Sequence, residues 1–128
     1  MPDKKSAKKA TSNKPLEVTV SINAAGAVQV TPDCLTVQES DQRIRWKLDA
    51  ESRQKWRLVG TCWCGDGTPP ADEFHDWLHE KDRILVTDRN QTEGSWQYGL
   101  LYKLKKAKKG EPPRVFDPVI RNEPPHMR

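Results

Sequence analysis

Cys62, Cys64, His75 and His79 are the residues of this 128-residue chain that combine metal-ligand chemistry with workable spacing. The cysteines flank Trp63, and ten residues separate Cys64 from His75. On a helix, positions four apart lie on one face a turn apart, so both imidazoles suit a shared ion. Gly65-Asp66-Gly67 gives the backbone freedom to fold the thiolates back onto that face. Asp72 and Asp76 would then orient the imidazoles as hydrogen-bond acceptors. The expectation is a closed zinc tetrahedron of Cys62, Cys64, His75 and His79. Structural zinc sites usually place two to four residues between their cysteines, and one stands here. The alternative is a solvated polar helix face beside free thiols in a loop. Cys34, the third cysteine, reads as a small buried hydrophobe in a strand.

Catalytic patterns are missing. Gly65-Asp66-Gly67 lacks the Lys-Ser/Thr of a phosphate loop, and no serine sits in a nucleophile elbow. A Cys62 or Cys64 nucleophile paired with His75 would have no visible oxyanion hole. No enzyme is expected.

Charge supplies the other chemistry. The net charge of +4 resides in residues 1–15, which hold five lysines and one acid, while acids and bases cancel in the remainder. A Lys/Ala/Ser/Asn segment buries too little apolar area to offset its ordering entropy, so 1–15 reads as a disordered tail. Lys105, Lys106, Lys108 and Lys109 form a second cluster. Either could bind an anion such as nucleic acid in a salt-sensitive way, or simply keep the chain soluble. No apolar run approaches the ~20 residues of a membrane-spanning helix, and no secretory signal follows the first lysines, so a cytosolic protein without a membrane partner is expected.

These groups must be carried by strands. Leu16, Val18, Val20 and Ile22 alternate, as do Ile44, Trp46 and Leu48 between Arg43, Arg45 and Lys47. Trp96, Tyr98, Leu100, Tyr102 and Leu104 form the longest such series. Trp56-Leu58, Ile84-Leu85-Val86 and 114–121 add further candidates. Seven or eight short strands divided by turn residues predict an antiparallel sandwich over residues 16–125, with 126–128 as a short C-terminal tail. One helix is expected near 70–81. Pro69 and Pro70 suit its first turn, Asp72 and Glu73 face its positive end, and Phe74, Trp77 and Leu78 make an apolar stripe. The tryptophans fall in phase with aliphatic neighbours and read as core in preference to a stacking platform; Trp63 alone is out of pattern.

Two stretches carry a resemblance. Asp88-Arg89-Asn90 through Gly94 to Trp96-Gln97-Tyr98 is similar to a segment near the end of cupredoxin-like sandwiches. The pair Asp117-Pro118 and Glu123-Pro124 resembles the paired dipeptides of the bacterial DP-EP family, small proteins of cupredoxin-like fold. The resemblance implies a Greek-key sandwich and carries no activity with it. Such a fold raises the question of a type 1 copper centre, which ligand count excludes, because Tyr98-Gly99-Leu100-Leu101-Tyr102 contains no ligand where the cysteine and second histidine would stand. The resulting expectation is a non-enzymatic interaction module with a protein partner and no cofactor. Zinc binding and weak nucleic-acid binding are the two alternatives.

Overall fold

A computed structural model describes residues 14–65 and 67–125. Most of the Lys-rich segment, Asp66 and the tail 126–128 lie outside the described residues. The alternating stretches form ten strands: β1 (Leu16–Ile22), β2 (Val28–Thr31), β3 (Cys34–Val37), β4 (Gln42–Leu48), β5 (Trp56–Cys64), β6 (Phe74–His79), β7 (Arg83–Asp88), β8 (Gly94–Leu104), β9 (Arg114–Phe116) and β10 (Val119–Asn122). A 3-10 turn, Ser52–Gln54, precedes β5.

The strands make two five-stranded sheets. The first runs β2-β1-β4-β7-β6, and the second β3-β10-β8-β5 with β9 also pairing β8. Both are mixed, which corrects the expected all-antiparallel pattern. β1 runs parallel to β4, with Leu16 opposite Ile44, and β3 parallel to β10. The cause is the route of the chain. After the β1-β2 hairpin it crosses to the second sheet as β3, and it rejoins the first as β4; parallel neighbours require such a crossover. The single strand expected over 114–121 is divided at Asp117-Pro118 into β9 and β10.

The inner faces interlock around Val18, Val20, Ile44, Trp46, Leu48, Ile84 and Val86 from one sheet and Leu35, Val37, Leu58, Tyr98, Leu100 and Ile120 from the other. Full burial of each such side chain contributes about 1.5–3 kcal/mol. Trp46 Nε1 donates to Tyr98 Oη at 2.8 Å, so the one polar atom that each ring carries into the core finds its partner across the sandwich.

The helix expected near 70–81 is absent, and its apolar stripe belongs to an edge strand. Phe74 and His75 pair with Asp88 and Thr87, whereas Leu78 and His79 pair with Leu85 and Ile84. The register shift marks a bulge that inserts one residue at Asp76–Trp77, with Asp76 at φ 59°. The extra residue turns both Phe74 and Trp77 toward the core. A spacing of three thus arises in a strand and imitates helical periodicity.

Candidate functional site

The bulge also decides the metal question. His75 lies opposite Thr87, which lies opposite Arg43, on the outer face of the first sheet. Its Nδ1 sits 3.2 Å from Asp76 Oδ2, the carboxylate expected to orient it. Beyond the bulge, His79 lies opposite Ile84 on the inner side and stacks on Trp77, with ring centroids 6.0 Å apart. The two imidazoles therefore leave opposite faces of one strand. Cys62 and Cys64 belong to the other sheet, opposite Gly99 and Gln97 in β8. Because Tyr98 and Leu100 point inward, these thiols stand on the outer face of the second sheet. Among the described residues no three His, Cys, Asp or Glu side chains converge as metal ligands. The expected tetrad is not assembled.

What the structure does bring together is the thiol pair. Cys62 Sγ and Cys64 Sγ are 3.7 Å apart, the first exposed and the second half-buried. Burial and the neighbouring Cys62 push the Cys64 thiol upward. Cys34 is exposed at the first position of β3, contrary to its expected burial, because Leu35 and Val37 take the inward positions.

The surface around the thiols has an apolar centre between Gln97, opposite Cys64, and the facing pair Arg57 and Lys103. Leu101 lies opposite Gly60 in β5 and Val115 in β9. Val115 is 52% exposed, the highest of the large apolar residues, and Val59 is exposed at the β5 bulge. Glycines at 60 and 99 remove side chains from the middle of this face. The outer face of the first sheet pairs Glu17 with Arg45, sets Arg43 and Lys47 in line, and exposes Leu78 beside Leu85 at its β6 edge.

A second arrangement was hidden in the sequence. Glu73, Asp88, Asn90 and Asn122 are all buried, where the loops joining the sheets meet. Glu73 Oε2 accepts from the backbone N–H groups of Gln91 and Thr92, each at 2.8 Å. The Asn122 amide bridges Glu73 and Asp88. Asn90 donates to the carbonyls of Val37, Glu39 and Glu123, tying three segments together. Burial pushes the Asp88 carboxyl up to about 7; hydrogen bonds from Asn90 and Asn122 oppose that shift, and nearby Glu73 adds to it. Asp88 Oδ2, Asn90 Oδ1 and Asn122 Oδ1 are buried with no hydrogen-bond partner among the described residues, and the bonds that the cluster does make tie segments of both sheets together. Glu73, read as a helix-starting acid, and Asn122, at the end of a strand candidate, gave no sign of this role.

The proline dipeptides bracket β10. The Pro118 carbonyl accepts from the Tyr98 N–H at 3.0 Å, and the Asp117 carbonyl accepts from Gln97 Nε2. At the other end the Glu123 N–H donates to Val37, and Pro124 is buried. Both pairs hold the strand between β8 and β3. Lys105, Lys106, Lys108 and Lys109 are exposed in the turn after β8. Lys105 also lines a cleft of about 500 Å³ with Arg53, Lys81, Asp82 and Trp56. Trp63 faces the core after all, packed on Phe74 at 4.8 Å.

No protein-family model matches the chain, and no curated protein sequence matches it significantly. Among the described residues no helix is long and apolar enough to cross a membrane.

Proposed function

We propose that this chain is a non-enzymatic interaction module of the DP-EP type, a cupredoxin-like Greek-key sandwich that docks a protein partner on the outer face of its second sheet. The observation that carries the reading is the apolar centre of that face. Val59, Leu101 and Val115 surround Gly60 and Gly99, with Arg57 and Lys103 flanking them. The outer face of the first sheet carries Glu17, Arg43, Arg45 and Lys47 and exposes Leu78 only at its β6 edge. Exposed apolar groups rimmed by polar side chains mark contact surfaces. The arrangement in two sheets and the two proline dipeptides around β10 support the family reading. An odd cysteine count fits a reducing bacterial cytosol.

The test is capture of partners by wild-type protein, by Val115→Glu and by a quadruple Lys105/106/108/109→Glu variant. A partner retained by the wild type and the lysine variant, and lost with Val115→Glu, supports the module. Self-association abolished by Val115→Glu would replace the partner with a second copy. Nucleic acid retained at low salt, and lost in moderate salt and in the lysine variant, would favour the second reading, in which Arg53, Lys81 and Lys105 converge on one cleft.

A further inference from the structure

We propose that Cys62 and Cys64 form a bidentate dithiol site for a soft, thiophilic centre, independent of either histidine and of the docking reading. Residues two apart on a strand share a face, so the sequence Cys-Trp-Cys places both sulfurs outward while Trp63 anchors the strand inward. The 3.7 Å between the sulfurs is too long for a bond between them. It matches a common chelated atom: two sulfurs each about 2.3 Å from one centre at a tetrahedral angle lie ~3.8 Å apart.

Room for the pair comes from Gly99. A Cβ built there would lie 2.7 Å from Cys62 Sγ and 3.1 Å from Cys64 Sγ. The missing side chain is therefore the floor on which the sulfurs rest. The donors define the chemistry: two adjacent thiolates are soft ligands, and soft ligands select soft, thiophilic centres. Trivalent arsenic is one such centre. With an arylarsenoxide, two S–H bonds and the As–O bond break, two As–S bonds form, and the oxygen leaves as water with both protons. No oxidation state changes.

The experiment uses the reduced full-length chain and phenylarsine oxide as probe, read by intact mass and by titration against a competing monothiol. One arsenical per chain is expected, resisting excess monothiol and released by a small dithiol. Cys62→Ser and Cys64→Ser should each weaken it by about 100-fold or more, because the second sulfur acts at the high effective concentration of an intramolecular contact. Cys34→Ser should leave it unchanged. Gly99→Ala, which keeps all three thiols, should weaken it while the thiol count stays constant. Binding that survives either single serine variant, that depends on Cys34, or that yields to monothiol would overturn the proposal.

Discussion

The side-chain amide of Asn122 lies 3.1 Å from Asp88 Oδ1 and also 3.0 Å from Glu73 Oε2, so one residue of β10 holds together two buried carboxyl groups, one ending β7 and one just before β6. It also donates to the Thr92 carbonyl. Asn122→Ala should remove all of these bonds and leave two carboxyl groups facing each other without the shared donor. Hydrogen bonds to charged groups contribute about 1.5–3 kcal/mol each, and an unsatisfied buried acceptor costs a similar amount. A destabilisation of roughly 3 kcal/mol is expected, visible as a lower denaturant midpoint at unchanged slope. A loss below ~1 kcal/mol would mean that the bridge is incidental.

Asp88 gives the same cluster a pH dependence. Its carboxyl is raised from 3.8 to about 7, chiefly by burial, so the folded protein holds a proton that the unfolded chain releases. The folded state is favoured most when Asp88 is protonated in both states. That advantage declines as pH rises from about 4 and is lost through about 7. Integrated over the shift, the contribution is about 4 kcal/mol. Asp88→Asn, which keeps the shape without the charge, should flatten the stability curve between pH 5 and 8. A wild-type stability that rises over that interval, with no difference in the variant, would contradict the assignment.

The bond from Trp46 to Tyr98 makes a third case. Tyr98 is buried, and burial pushes its phenol well above the usual range, so it remains a neutral acceptor throughout. Tyr98→Phe preserves the ring that packs 5.1 Å from Trp46 and removes only the oxygen. Trp46 Nε1 is then buried without an acceptor. A loss of about 1–3 kcal/mol is expected on thermal or chemical unfolding. Tyr98→Leu should cost more, because the ring contacts disappear as well.

The parts of this fold legible in the sequence are those in which one face is apolar and the other charged. β4 shows this best: Ile44, Trp46 and Leu48 point in, and Arg43 and Lys47 point out. The series from Trp96 to Tyr102 was equally plain. Ile84-Leu85-Val86 hid its alternation, because Leu85 is covered on the outer side where it pairs with Leu78 and Arg45. Parallel pairing of β1 with β4 leaves no local trace, since it depends on where the chain goes in between. Of the candidate site, the two cysteines were read only as half of a tetrad with the histidines, or as loop thiols, whereas they lie on strand β5. The histidines were misplaced because their relation rested on a helix. Glu73 and Asn122 were invisible, since buried polar residues that bond one another across the fold look like loop residues in a one-dimensional string.

The β6 bulge offers the sharpest check on that difference, because strand and helix predict opposite signs. Asp76 sits at φ 59°, a left-handed conformation that glycine adopts without cost and that aspartate tolerates better than most residues. Its side chain is 80% exposed and lies 3.2 Å from His75 Nδ1. Asp76→Gly should therefore hold stability constant or raise it by up to about 1 kcal/mol, the gain from relieved strain being partly offset by a freer unfolded chain. Asp76→Val, β-branched at the same φ, should destabilise by more than about 1 kcal/mol. In the helix interior expected from the Phe74-Trp77-Leu78 stripe, the glycine would be the damaging change, costing about 0.5 kcal/mol relative to aspartate, and valine would be nearly neutral. Equilibrium unfolding of the two variants side by side decides the matter. If the valine variant matches the wild type while the glycine variant melts early, the bulge is wrong, and with it the placement of His75 and His79 on opposite faces.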